Sequence, residues 1–574
     1  MDNNLAYAQE SKKIHARLTA QSKIFEKKIY QTAERFYTAV GWAIETPVMV
    51  VGDEGIIIID PCESHDAMVE IMAELRKISQ LPVQAVVYTH HHPDHWAGVE
   101  ACTTQEDVNQ GKCAIIAHRD FEEQVAKMTG ILADIKIGRA MYMYGYLLPF
   151  GEEGRVNLGL GPMMRKDTQG YIAPTVLVDK ELKFRAAGID MEFYHIPSEC
   201  VDEICVWFPQ DKVLHVAECI QGENYPNLYS IRGSNRDPVK WVRSIDFMRT
   251  LPAEHFVGNH MRPVDGADEC RKHLIDYRDM IQYTHDQTIR LINKGLTPDN
   301  IIAELEKLPP HLHQRARMGE HYGTFKQAVK LIFSHYVGWF QGDAAFLDPL
   351  TPAASAEKLL SLIGRDNLLA QGKTALEDGE YQWAAELLTI PVRARHDDMD
   401  ARKLKAQALR QLAYRTENGP FRNWYLTQAQ NLEGMFEEIS KKVPEFNGPE
   451  VYYDAISKVQ IPYLLDCLQV KLNGPKTQDV ETAVTLKFTD DGYERIIEIR
   501  RGVCEIHEPG KCMSDGTINI SKTGFGKLLT KLVTVKNVLS AGDLQSTLSP
   551  DTLEQFFGYF DGFTPLFDME FPFE

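Results

Sequence analysis

The 574-residue chain is short of three things. Its ten cysteines are scattered singly, with no CxxC pair and no dense cluster. That spacing argues against a disulfide scaffold and for reduced, mostly buried thiols. It also has no excess of positive charge: 62 Lys+Arg against 81 Asp+Glu give a net charge of -19. Nucleic acid and anionic membranes would repel such a surface, so neither is an expected partner. An anionic substrate would have to be drawn in by a local cationic site instead. Finally, no stretch approaches the roughly 18 uninterrupted apolar residues of a membrane span, and the N-terminal "MDNNLAYAQESKKIHARLTAQSK" has no apolar signal core. No membrane span and a cytoplasmic location are the expectations.

What is present is ordinary in bulk, with 44% apolar and 25% charged residues, and too long for one core, so about three domains are expected. Residues 1–350 read as mixed α/β. "TPVMVVGDEGIIIIDP" is a hairpin turned at Gly-Asp-Glu-Gly, "HDAMVEIMAELRKI" has helical spacing, "VQAVVYTH" is a strand, and "EICVWFPQDKVLHVAE" is strand, turn, strand. Alternating hairpins and helices point to sheets covered by helices. After "LDPLTPAASAEK" the pattern becomes helical over 357–440, with small residues in "ALEDGEYQWAAELL" suited to close helix packing. From 447 to 574 it changes again. "AVTLKFTDDGYERIIEIRRGVCEIHE" alternates with period two, as a meander does, and helices follow in "GFGKLLTKLVT" and "DTLEQFFGYFDGF".

The chemistry is concentrated in "YTHHHPDHWAG", at the end of the buried strand "LPVQAVV". In this H-x-H-x-D-H pattern, alternate positions of an extended loop face one side, so His90 and His92 can share one ion. Asp94 and His95 turn toward a second position, and His91 faces away. Imidazole with carboxylate suits zinc, and also manganese or iron. Further ligands are available where later strands end: Glu199 in "SECVDE", Glu218 closing "KVLHVAE" and His260 in "VGNHMRP".

H-x-H-x-D-H after a strand resembles the metallo-β-lactamase superfamily, and "SECVDE", "AECIQGENYPNLYSIRG" and "NHMRP" resemble its alkylsulfatase branch. "DGEYQWAAELL" and "ENGPFRNWYLTQAQ" are similar to that branch's helical dimerisation domain, and the C-terminal meander to its sterol-carrier-protein-like domain. The resemblance implies an α/β fold: an αββα sandwich, then an all-α domain, then an α+β domain. It implies a homodimer through the helical domain and a dinuclear zinc hydrolase that cleaves alkyl sulfates to alcohol and inorganic sulfate. One zinc would be held by His90, His92 and Glu199, the other by Asp94, His95 and His260, with Glu218 shared. Asn227 and Arg232 would contact sulfate, joined by Tyr336 of "HYVGWFQGD", with Tyr322 of "HYGTF" as the competing tyrosine.

On that reading no side chain is the nucleophile. A water bound to both metals, its pKa lowered from about 15.7 to about 7, would supply hydroxide, attacking either carbon or sulfur. Charge counting supports an arginine: Asp94, Glu199, Glu218 and hydroxide cancel two Zn²⁺, so the sulfate monoanion needs the planar fork of Arg232. The chain departs from the branch at Trp96-Ala97, at Pro226 in a loop one residue longer, and at Cys200-Val201, where Cys200 has a packing role. Two other functions use the same residues: hydrolysis of a lactone, thioester or phosphoester, and a lipid-binding carrier with a structural metal site. The aromatic "LEQFFGYFDGFTPLF" is expected to be core.

Overall fold

This computed structural model describes residues 11–165, 168–305, 309, 312, 319–435 and 458–562. Two sheets face each other at the front of the chain. The first runs in chain order through seven strands. Lys28–Thr32, Phe36–Val40, Val48–Val51 and Ile56–Ile59 are antiparallel, and Val83–Val87, Ala114–His118 and Val176–Val178 continue in parallel. In the second sheet, Glu181–Ala186, Ile189–His195, Ile204–Phe208 and Val213–His215 form an antiparallel series. His255–Val257 lies parallel beside Val213–His215.

Burial explains the composition of these strands. All four isoleucines of Ile56–Ile59 are buried, because one face of the strand meets the other sheet and the opposite face meets a helix. Along Ile189–His195 the buried residues alternate, with Ile189, Met191 and Phe193 inward. They interdigitate with Phe36, Val50, Ile57, Val87 and Val206 to form the layer between the sheets. Helix His65–Leu75 covers the first sheet. Its start is fixed by Ser64, whose hydroxyl accepts from the Ala67 amide at 3.0 Å, and it buries Met68, Ile71 and Leu75. Helices Pro238–Met248 and Ala267–Ile292 cover the second sheet through Trp241, Ile245, Tyr277 and Met280. The expected αββα sandwich is therefore present.

Five helices follow: Pro352–Ile363, Arg365–Glu377, Tyr381–Ala394, Met399–Arg415 and Gly419–Leu432. Buried Ala384, Ala385, Ala406 and Ala408 let them approach closely. The last of them returns to the sandwich, where the buried Arg422 guanidinium donates to the carbonyls of Lys13, Glu152 and Gly154. The C-terminal unit is a five-stranded sheet. Its meander of Glu481–Phe488, Glu494–Arg500 and Val503–His507 falls where the period-two pattern indicates. Phe556, Phe557 and Phe560 are buried in its core, Tyr559 packs half-buried against it, and residues 563–567 of that aromatic run lie outside the described residues.

All ten cysteines are free and nine are buried, in line with reduced thiols. Among the described residues no helix is long and apolar enough to cross a membrane. Phe193 fills the layer between the sheets at 0% exposure. Phe193→Ala should therefore destabilise the sandwich by about 3–5 kcal/mol, read as a lowered urea midpoint, whereas a loss below about 1 kcal/mol would mean this layer is not the core.

Candidate metal centre

Strands of both sheets end at one edge of the sandwich, and their carboxyl ends carry the polar residues, as open α/β sheets favour. Ile56–Ile59 runs into Asp60, Val83–Val87 into Thr89 and His90, Val213–His215 toward Glu218, and His255–Val257 into Asn259 and His260. Asp60, Ala217 and His260 have φ of 52°, 52° and 55°, left-handed values that non-glycine residues adopt at a cost of roughly 1–3 kcal/mol. These turns direct the side chains that follow the strands into a shared pocket. Gly98, at the end of the histidine loop, is required sterically. A Cβ there would overlap the Pro61 carbonyl oxygen and come within 2.9 Å of Met68 Cβ.

Two groups of imidazole and carboxylate donors result, bordered by a third of His91, His92 and Cys200, whose Sγ stands 3.6 Å from His92 Nε2. His90, His92, His95 and Glu218 form one, and Glu45, Asp94, His95 and His260 the other. His90 Nε2 lies 3.0 Å from His92 Nδ1 and 3.2 Å from Glu218 Oε2. Asp94 Oδ2 is 3.5 Å from both His95 Nε2 and His260 Nε2. Glu218 spans the two groups, with Oε2 3.7 Å from His95 Nε2 and Oε1 3.6 Å from His260 Nε2. Ligand atoms around a tetrahedral ion with bonds of about 2.1 Å stand about 3.4 Å apart, so the second group already has the spacing of a coordination shell. His91 turns away, as expected from alternation, and its Nδ1 pairs with Asp202 at 2.8 Å.

The surroundings fit cations. His95 Nε2, His260 Nε2 and Glu45 Oε2 are buried without a hydrogen-bond partner. Their rings are oriented from behind: His260 Nδ1 donates to the Ile44 carbonyl at 2.8 Å, and His95 Nδ1 faces Asp60 Oδ2 at 3.3 Å. Burial holds His90 and His92 below the ordinary imidazole range, so both offer lone pairs. Burial would raise Asp94 and Glu218, yet the surrounding histidines hold both below the usual carboxylate range. Imidazole and carboxylate without thiolate is a donor set for zinc, manganese or iron.

A cationic pocket adjoins the cluster. The buried Arg232 lies close enough to oppose a positive charge on His92, and its guanidinium sits 5.8 Å from the Tyr144 ring centroid. Asn227 Nδ2 is buried with no hydrogen-bond partner. Lys136 donates to Ser234 Oγ at 2.8 Å, and burial, then Arg232 and Arg236, bring its ammonium down to about 7. One amide links this loop to the metal ligands. Gln221 Nε2 donates to Glu199 at 2.9 Å and to Glu218 at 3.2 Å, while its oxygen accepts from the Asn227 amide at 2.7 Å.

The two candidate tyrosines part company. The Tyr322 hydroxyl is buried 3.4 Å from that of Tyr144. Its neighbour Gly323 lies against the backbone of Tyr225 and Asn227 so closely that a Cβ could not be accommodated. Tyr336 is half-exposed, and its hydroxyl bonds His285 at 2.9 Å instead. Tyr336 precedes a Gly-Trp but lies on helix Phe325–Val337, whose packing turns it away from the cluster.

Residues 40–260 match the metallo-β-lactamase superfamily, 297–435 the alkyl sulfatase dimerisation family and 451–569 the alkyl sulfatase C-terminal family. A linear primary-alkylsulfatase of Pseudomonas sp. (strain ATCC 19151) is 37% identical over 526 residues, covering 89% of this chain and 98% of its own. The chain belongs to the alkylsulfatase family of the metallo-β-lactamase superfamily. A second linear primary-alkylsulfatase from Pseudomonas sp. is 30% identical, covering 95% of this chain and 81% of its own. The stereoselective inverting sec-alkylsulfatase Pisa1 from Pseudomonas sp. superposes with a TM-score of 0.90 at 26% identity, covering 99% of this chain and 90% of that one.

In this alkylsulfatase the structure gathers six of the expected ligands: His90, His92, Asp94, His95, Glu218 and His260. Glu199 lies at the border, one amide from Glu218, with its carboxylate paired to Arg236. The sequence reading missed Glu45, Gln221, Arg236 and Lys136, since none follows a ligand-spaced motif. Arg236 and Glu199 are both nearly fully buried, so removing one partner strands the other charge. Arg236→Leu should lower the stability of the metal-stripped protein by about 3–5 kcal/mol, and adding Glu199→Gln should recover most of it. A single-variant loss that the double variant does not relieve would contradict the pairing.

Proposed function

We propose that the chain is a sulfuric ester hydrolase that converts alkyl sulfates to the alcohol and inorganic sulfate, with two zinc ions at the sandwich edge. The observation that carries this reading is the adjacency of a buried ligand cluster to a buried cationic pocket in a chain of net charge -19. On this reading one ion would be held by His90, His92 and Glu199 and the other by Asp94, His95 and His260, with Glu218 shared. Glu199, paired to Arg236, stands outside the convergent donor groups and enters through the family resemblance. Ions so held would supply Lewis acidity and water activated near neutral pH.

The chain's own residues do the rest. Arg232 offers two parallel donors to the sulfate oxygens, and the unpartnered Asn227 Nδ2 offers a third. Tyr322, rather than Tyr336, supplies a hydroxyl, since it lies buried beside Tyr144, whose ring Arg232 approaches. These donors stabilise the charge that collects on sulfate as the ester bond breaks. Gln221 ties the sulfate loop to Glu199 and Glu218, so anion and ligands keep a fixed register. The 37% identical relative, a linear primary-alkylsulfatase, favours linear primary esters as the substrate class.

Two further features belong to this reading. Trp339, Phe346, Leu347, Leu350 and Leu362 are exposed along the entry to the helical unit, an apolar surface suited to burial against a second copy. Ten free cysteines suit a reducing compartment such as the cytoplasm.

The purified protein should release sulfate from dodecyl sulfate and stop when a chelator removes its metal. Arg232→Ala should cost about 10²–10³-fold in kcat/KM. Tyr322→Phe should also slow turnover, and Tyr336→Phe should not. A fully metallated protein that releases no sulfate would overturn the assignment and direct attention to lactones, phosphoesters and lipid binding.

A further inference from the structure

Glu45 is part of the metal centre by position, yet it follows no ligand-spaced motif and is not among the ligands that family resemblance supplies. It sits in "WAIETP", between strands Phe36–Val40 and Val48–Val51, and is 0% exposed. Asn259 Nδ2 donates to its Oε1 at 2.8 Å and fixes the carboxylate plane. The other oxygen, Oε2, accepts no hydrogen bond and lies 3.2 Å from His260 Nε2. A buried carboxylate oxygen without a donor is expensive unless a cation meets it or it takes up a proton, and a cation here would also meet the facing His260 nitrogen.

The two nearby imidazoles cannot fill that role once they hold a metal. His260 commits its Nδ1 hydrogen to the Ile44 carbonyl at 2.8 Å, so Nε2 presents a lone pair. His95 directs Nδ1 at Asp60, 3.3 Å away, in preference to Glu45 at 3.6 Å. A lone pair on His260 Nε2 and a carboxylate oxygen 3.2 Å apart repel each other unless one positive centre serves both. Asp94 and His95 close the same group.

We infer that Glu45 is a ligand of the second metal ion, alongside Asp94, His95, His260 and the shared Glu218. The inference rests on the two-ion reading above. It makes the second position richer in hard oxygen than the first, and so more receptive to manganese or ferrous iron than a site dominated by imidazole. It also adds a fourth carboxylate to Asp94, Glu199 and Glu218. The carboxylates alone then cancel the charge of two divalent ions, and attraction of an anionic ester rests on Arg232.

The test is metal binding by the full chain, stripped with chelator and titrated with Zn²⁺ or Mn²⁺, with stoichiometry read by equilibrium dialysis and elemental analysis. The wild type should take two ions. Glu45→Gln should keep the first affinity and weaken the second by tenfold or more, with Mn²⁺ losing more than Zn²⁺. Two ions bound by Glu45→Gln with wild-type affinities would overturn the role of Glu45 and leave the two-ion reading intact. A wild type that takes fewer than two ions of either metal would overturn both. Should Glu45→Gln fail to fold, Glu45→Asp serves in its place: its shorter reach should weaken the second ion by the same criterion, and an unchanged affinity would overturn the inference.

Discussion

Negative charge confined in a buried pocket sets the terms for the rest of this molecule. Glu45, Asp60, Glu199 and Glu218 are nearly or fully buried within one sandwich edge, with Asp94 among their neighbours. Carboxylates are not held in low dielectric unless cations or donors meet them. Arg236 answers Glu199, and Thr89 and Asn259 answer Asp60. Glu45 and Glu218 each accept one amide hydrogen, from Asn259 and Gln221, and otherwise they and Asp94 face imidazoles, of which His260 and His95 have their outer nitrogens directed at Ile44 and Asp60. Such a pocket could hold a metal ion at either donor group. The left-handed turns at Asp60, Ala217 and His260 are the backbone strain that this convergence requires.

The sandwich supplies the rigidity. The ligand set draws on both sheets, His90 to His95 from the first and Glu218 and His260 from the second. Contacts across the edge lock the two together: the Thr46 hydroxyl donates to the Gly258 carbonyl at 2.9 Å, and the Ile204 amide to the Thr89 carbonyl at 3.0 Å. The helical unit also reaches the site. Asn418 Nδ2 donates to the carbonyls of Glu320 and Tyr322, each at 2.8 Å, so the last helix steadies the tyrosine facing Arg232. Packing between domains and the shape of the anion pocket are therefore coupled.

Much of this was legible before any coordinates. The H-x-H-x-D-H run carries its own geometry, because residue spacing after a buried strand fixes which side chains can meet. Hairpins at 48–59 and 204–215 follow from apolar runs split by turn residues and the C-terminal meander from local alternation, so their strands fall where the pattern sets them. What escaped depends on contacts distant in the chain. Glu45 lies 215 residues from His260 and looks like an ordinary turn residue until the two sheets close. Arg236 pairs with Glu199 across a loop whose path no periodicity encodes. Between Tyr322 and Tyr336 the sequence offers no spacing that separates them, and only packing places Tyr322 in the interior and Tyr336 against His285.

The central claim is that two cations complete this edge. Diffraction from crystals of the metal-loaded chain, collected at the metal absorption edge with inorganic sulfate present, tests it directly. The account predicts two anomalous peaks roughly 3.5–4 Å apart on either side of Glu218, with sulfate held by Asn227 and Arg232. A single peak, or peaks away from His90, Asp94 and His260, would contradict it.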